Sequence, residues 1–230
     1  MAKFYGIGVG PGDPELITIK AAKILNTIDV VLLPDSQTGK KNIAYQIAQK
    51  EINPQAKLIS VNFPMVPDRD IINRAGKTAA QIVEVHIKEG KNVAFITLGD
   101  PSLYSTYGYI VKNLNASTEV ETIPGITSFC AAAAVTNRPL VEGEEILSII
   151  PATAAEEKME SIFAGGQSLV FMKVYNHKDK VLKMLEKHGM MENSILVKRC
   201  GFEDCSIEDN LTEALSKEKQ YLSIILSRKG

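Results

Sequence analysis

An α/β fold is what this sequence predicts, because short β-rich apolar runs alternate with helix-period segments along all 230 residues. Glycine- and proline-rich turns close several of those runs, as strand-to-helix turns do. Apolar residues make up 45% of the chain and charged residues 23%, the balance of a globular protein able to bury a core. That balance excludes fibrous and disordered classes.

The first strand is expected over residues 3–9, and its exit through Gly10-Pro11-Gly12-Asp13-Pro14 makes a turn before a helix capped by Thr18. Further strands are expected over 29–33, 57–61, 92–98 and 118–123, several of them apolar on both sides. Strands of that kind lie in parallel sheets covered by helices on both faces. A long helix should open at Asp70 and stop at Gly90. After an alanine-rich helix over 129–135, composition changes at Asn137-Arg138-Pro139-Leu140, which sets the expected boundary between α/β domains 1–139 and 140–230. The second domain should hold strands 145–150, 168–174, 194–199 and 221–227, with helices 155–163 and 178–188. It is the shorter series and should bury the smaller core.

Several function classes are disfavoured. The formal net charge of −1 and the lack of a basic run argue against a nucleic-acid partner. No apolar run approaches the ~18 residues of a membrane span, and the start lacks a signal-peptide pattern, so a cytoplasmic protein is expected. Cys130, Cys200 and Cys205 lack metal or redox spacing and should be reduced thiols, although Cys200, at a strand end, could line a site; no metal is expected. His86, His177 and His188 are expected to be solvated.

The glycine-rich turn fails the nucleotide templates. A dinucleotide fingerprint starting at Gly6 would need glycine where Pro11 stands, and one starting at Gly8 would need it at Asp13. The fragment Gly76-Lys77-Thr78 lies in a helix pattern and lacks the P-loop glycine at Ile71. Asp13 sets a carboxylate where phosphate would sit, so a cationic or neutral ligand suits this turn better. Two more turns follow: Leu98-Gly99-Asp100-Pro101 after the fourth strand and Pro124-Gly125-Ile126-Thr127-Ser128 after the fifth. Carboxyl ends of parallel strands form the ligand crevice of open sheets, so the three turns should line one cleft.

Together these segments resemble the motifs of the tetrapyrrole methylase family: Gly8-Val9-Gly10-Pro11-Gly12-Asp13-Pro14-Glu15-Leu16 with Thr18-Ile19-Lys20-Ala21, the Gly99-Asp100-Pro101 turn, and Pro124 to Ser128, in the same order and at similar spacing. The resemblance covers the whole chain. It implies two α/β domains with a ligand cleft between them, bound S-adenosyl-L-methionine (product S-adenosyl-L-homocysteine), and a homodimer. It implies cofactor contacts from Pro11, Leu98, Gly99, Asp100, Leu103, Thr127, Ser128, Met172 and Cys200. Phe63-Pro64-Met65 with Asp68, Tyr104-Ser105-Thr106-Tyr107, Pro139 to Glu145 and Met172-Lys173-Val174-Tyr175 resemble the branch that methylates carbon 20 of cobalt-factor II or precorrin-2.

Methylation at an electron-rich meso carbon needs alignment of donor and acceptor more than a strong base, and no Ser/His/Asp constellation is present. Asp100, Tyr104 and Asp68 are the candidates for any base or orienting group. A polycarboxylate substrate calls for cations, drawn from Lys40, Lys41, Arg69, Arg74, Arg138, Lys173 and Arg199; arginine's fork favours Arg69 and Arg138. Two other readings stay open. One is a methylase of another tetrapyrrole carbon, as in uroporphyrinogen III, or of a protein side chain; the other is a non-catalytic ligand-binding module. A nicotinamide enzyme is disfavoured by the broken fingerprint.

Overall fold

A computed structural model describes residues 1–35, 42–64, 66, 68–163, 165, 168–216 and 221–228. The chain divides into two compact units, Met1–Thr127 and Ser128–Gly230.

The first unit holds strands β1 (Phe4–Gly8), β2 (Val30–Asp35), β3 (Lys57–Asn62), β4 (Val93–Thr97) and β5 (Val120–Ile123). Its helices are α1 (Ile19–Leu25), α2 (Ile43–Ala48), α3 (Arg69–Lys88) and α4 (Tyr107–Val111). The sheet is wholly parallel, in the order β3-β2-β4-β1-β5. Position in the sheet explains each strand's composition. Central β4 is buried at every residue, whereas the edge strands β3 and β5 expose several of theirs.

Helix ends follow side-chain chemistry. Thr18 Oγ1 accepts from Ala21 N at 3.2 Å, capping α1 as expected. Asp68, not Asp70, opens α3: its Oδ1 accepts from Asp70 N at 2.8 Å and Ile71 N at 3.2 Å. A carboxylate two residues further on lies inside the first turn, where it can meet the dipole but cannot cap. Against the sheet, α3 buries Ala79, Ala80 and Val83 beside Phe63, Phe95 and Tyr107. Val83, Phe63 and Phe95 each contribute about 1.5–3 kcal/mol by such burial, and the two alanines less.

The second unit holds α5 (Ser128–Thr136), β6 (Leu147–Pro151), α6 (Glu156–Phe163), β7 (Ser168–Met172), α7 (Lys178–Lys187), β8 (Ser194–Lys198), β9 (Ser206–Glu208), α8 (Leu211–Ser216) and β10 (Ser223–Ser227). Its sheet runs β6-β7-β10-β8-β9. Only β6 and β7 are parallel; β10 is antiparallel to both β7 and β8, and β9 is antiparallel to β8. The mostly parallel sheet expected from alternation therefore holds for the first unit and fails here. The β8–β9 hairpin supplies an extra reversal, so α8 returns the chain to the edge where β8 ends, and β10 must run back against it.

The division between units precedes α5, whereas composition suggested a boundary after Pro139. Helix α5 packs on β10, burying Phe129, Ala131 and Ala132. Its alanines resemble those of a first-unit helix in sequence, and only packing assigns them.

Candidate functional site

Strands β1 and β4 are neighbours whose following strands lie on opposite sides: β2 beyond β4, and β5 beyond β1. Ligand crevices of open parallel sheets form outside the carboxyl ends at such a reversal. The exits of β1, β4 and β5 are drawn together there by a short hydrogen-bond set. Val9 N donates to Thr97 O at 3.0 Å, and Gly10 and Gly99 exchange backbone hydrogen bonds of 3.3 and 2.7 Å. Gly99 has φ +70, a conformation that costs a side chain but not glycine. Gly125 packs so closely that a Cβ there would stand 2.1 Å from Gly99 O.

Asp100 ties the fourth turn to the fifth. Its Oδ2 accepts from Gly125 N at 2.9 Å, and its Oδ1 accepts from Ser102 N at 2.8 Å and from the Ser102 hydroxyl. Burial pushes the carboxyl upward, but the donors at Ser102 and Gly125 outweigh it, and the net direction is below the ordinary carboxylate value. Asp100 is therefore an ionised acceptor near neutral pH, with no cationic side chain paired to it among the described residues. At the last turn, Thr127 Oγ1 is buried without a hydrogen-bond partner among the described residues. A carboxylate fixed by N–H groups, a buried hydroxyl without a partner and close-packed glycine turns suit a ligand bearing positive charge. Pro11 is buried beside them, and Leu98, Leu103 and Ser128 are partly so.

The other base candidates have different surroundings. Asp68 is occupied in capping α3. Tyr104 is 47% exposed and has φ 51; burial of part of its ring raises the phenol's pKa, so it stays protonated at neutral pH. It lines an open groove of about 390 Å³ with Pro101, Ser102, Tyr107, Val111 and Val120.

In the second unit, β7 and β8 end and β10 begins at one sheet edge, where Ser223 pairs with Lys198. Lys173, Arg199 and Leu222 all have left-handed backbone there, with φ 59, 47 and 68, and Arg199 N donates to Leu222 O at 2.9 Å. Met172 is half-buried and Cys200 buried. Burial, then the neighbouring Cys205 thiol, pushes the Cys200 thiol up to about 11, which keeps it protonated at neutral pH and disfavours a nucleophilic role. All three cysteines are free thiols.

The candidate cations separate. Arg69 begins α3, and it and Arg74 are exposed. Arg138 stands 3.5 Å from Asp209 and lines a small pocket with Leu147, Leu169 and Arg228. Arg199 is more tightly committed: Nε meets Asp204 Oδ2 at 2.5 Å, and the guanidinium lies over the Phe202 ring at 4.5 Å. Lys40, Lys41 and Met65 lie outside the described residues. Of the histidines expected in solvent, His86 is 7% exposed instead, its Nδ1 held 3.0 Å from Glu89 at the end of α3. The face of α3 that carries Val83 turns His86 inward too.

Sequence reasoning missed Ser102 and Gly125 as the partners of Asp100. The Asp-Pro-Ser run did carry a signal, since Asp commonly bonds the backbone two residues on. Nothing local marks Gly125 as a donor to a carboxylate 25 residues away.

The fold and the strand-tip turns define an α/β protein of two units, with glycine-rich loops gathered at the strand ends of the first. The chain belongs to the tetrapyrrole (corrin/porphyrin) methylases, whose family profile it matches over residues 3–215. A Methanocaldococcus jannaschii protein named "Probable cobalt-precorrin-2 C(20)-methyltransferase" is 35% identical, covering 99% of this chain and 96% of that one. The cobalt-precorrin-2 C(20)-methyltransferase of Salmonella typhimurium is 32% identical over 85% of this chain and 82% of its own. Among solved structures, a cobalt precorrin-4 methyltransferase aligns with a TM-score of 0.78 at 24% identity, over 98% of this chain and 94% of that one. A Thermus thermophilus uroporphyrin-III C-methyl transferase complexed with S-adenyl homocysteine aligns at 0.68 and 19%, over 99% of this chain and 92% of that one. These two likenesses speak for the fold.

Proposed function

We propose that this chain methylates the meso carbon 20 of cobalt-factor II or precorrin-2 in cobalamin biosynthesis, using S-adenosyl-L-methionine. The observation that carries this is that relatives at 35% and 32% identity, matched over most of their length, are both named as C(20)-methyltransferases. The strand-tip chemistry agrees with the donor. S-adenosyl-L-methionine, when bound, supplies an electrophilic methyl group on a sulfonium and leaves as S-adenosyl-L-homocysteine.

Pro11, Leu98, Gly99, Asp100, Leu103, Thr127 and Ser128 would hold it, with Met172 and Cys200 as further contacts. Asp100 would balance its positive charge, and Thr127 Oγ1 has hydrogen-bonding capacity to spare. The protein's part is to bind, orient and keep the reactants in register, for which effective molarities of ~10⁵ to 10⁸ M set the scale. Asp100, already ionised and bonded to Ser102 and Gly125, serves better as a charge partner than as a proton acceptor. Arg69 and Arg138 would meet substrate carboxylates. Among the described residues no helix is long and apolar enough to cross a membrane; family resemblance supports a cytoplasmic homodimer.

The test is anaerobic incubation with labelled S-adenosyl-L-methionine and either cobalt-factor II or precorrin-2, read by mass and by NMR. One methyl at carbon 20 is expected. A methyl on another carbon or on a protein side chain, or tetrapyrrole left unmodified, would overturn the reading.

A further inference from the structure

The turn that follows β4 holds a second, less expected feature. Tyr104 lies four residues beyond Asp100 with φ 51, in the left-handed region that bulky side chains rarely occupy. Its ring, nearly half exposed, forms part of the groove wall. Strain of this kind persists only when the surroundings impose it, and it gathers at binding sites. The surroundings are visible: Asp100 anchors the turn at one end, and at the other Ser105 Oγ accepts from Tyr107 N at 3.2 Å and donates to Thr97 Oγ1 at 3.1 Å.

The groove that Tyr104 borders starts at Pro101 and Ser102, next to the carboxylate assigned to the methyl donor. Several of its hydroxyls are hydrogen-bonded within the protein. Ser102 bonds Asp100, and the Tyr107 and Thr122 hydroxyls share a bond of 2.8 Å. The exposed part of the wall includes the Tyr104 ring and Val120, with Val111 half-buried between them in sequence and Lys112 as the cation of the lining. An apolar wall with one cation suits a flat, carboxylate-bearing ring system. Methyl transfer requires donor and acceptor atoms within ~3–3.5 Å, so the acceptor's surface must adjoin the donor's turn.

We infer that Tyr104 is a substrate-contacting residue, its ring presented by a strained backbone as a platform for the tetrapyrrole macrocycle beside the methyl-donor turn. The inference rests on the function proposed above. Ring contact is the role, so the hydroxyl is dispensable and the aromatic face is not.

Full-length wild type, Tyr104→Phe, Tyr104→Asn and Tyr104→Gly are compared by thermal midpoint, by calorimetric binding of S-adenosyl-L-homocysteine and by anaerobic absorbance titration with cobalt-factor II. Asparagine and glycine tolerate left-handed backbone, so both variants keep or raise the midpoint. They should bind S-adenosyl-L-homocysteine as wild type does and weaken cobalt-factor II by roughly tenfold or more, while phenylalanine restores its binding. Unchanged cobalt-factor II affinity in the asparagine and glycine variants overturns the inference. So does a lowered midpoint, which would make the ring a structural prop, or a changed oligomeric state with tetrapyrrole affinity intact, which would make the groove a contact between chains. Wild type that binds S-adenosyl-L-homocysteine but no tetrapyrrole defeats the proposed function itself, a result distinct from the others.

Discussion

The backbone N–H of Gly125 donates to Asp100 Oδ2 at 2.9 Å, so one carboxylate joins the exits of β4 and β5 across 25 residues of chain. Because Ser102 occupies the other oxygen, Asp100 sets the shape of the turn as well as its charge.

Two substitutions separate shape from charge. Asp100→Ala removes both anchors and should cost about 1.5–3 kcal/mol in urea unfolding at neutral pH. That loss should shrink in acid: the folded carboxyl's pKa lies below its ordinary 3.8, so its contribution is complete above that value and vanishes as pH falls through the folded one. Asp100→Asn keeps one acceptor oxygen and so one of the two anchors; it should lose only part of that stability and weaken the sulfonium-bearing cofactor more than its neutral product, by roughly tenfold or ~1.4 kcal/mol in calorimetry. Equal losses for the two would remove the charge-partner role.

Gly125→Ala puts a Cβ 2.1 Å from Gly99 O, with only backbone to give way. Overpacking of that kind costs about 1–3 kcal/mol, and here it should also part the two turns. Denaturant midpoints and S-adenosyl-L-homocysteine binding should fall together. A stable variant with normal binding would mean the turns open without consequence.

At the far end of α3, Glu89 accepts from Lys91 at 2.8 Å and lies 3.0 Å from His86 Nδ1. Lys91 first, then His86, hold its carboxyl down to about 2 from an ordinary 4.5. A depressed carboxyl stabilises the fold above its unfolded value and loses that effect as pH drops toward the folded one. The gap in thermal midpoint between wild type and Glu89→Gln should therefore be constant above about pH 5 and close between there and pH 2. A gap that widened in acid would contradict the pairing.

Arg69 stands at the first position of α3, where a cation opposes the helix dipole. Arg69→Glu should raise stability slightly, by about 0.3–1 kcal/mol, while weakening tetrapyrrole binding and leaving cofactor affinity alone. Stability gained with no change in tetrapyrrole titration would mark it as a solvated surface charge.

Much of this molecule can be read from local residues. The apolar runs of β1, β4, β7 and β8, the Thr18 cap and the stop at Gly90 depend on neighbours a few positions away, and they emerged within a residue or two. So did the three turns, since glycine and proline act on their own backbone. Short helices such as α2, α4 and α8 escaped notice, because five or six residues carry little periodicity.

By itself, then, the chain's order of residues determined that it is an α/β protein with glycine-rich turns at successive strand ends, and its motifs pointed to its family. Tertiary structure alone decided that β10 runs antiparallel between β7 and β8, that α5 belongs with the second sheet, and that Asp100 finds Gly125. It also decided that His86 turns inward and that Tyr104 keeps a left-handed backbone. The physical reason is range. Propensity, capping and turn geometry act between near neighbours, whereas strand order, burial and the partner of a carboxylate depend on which distant segments the packed core brings together.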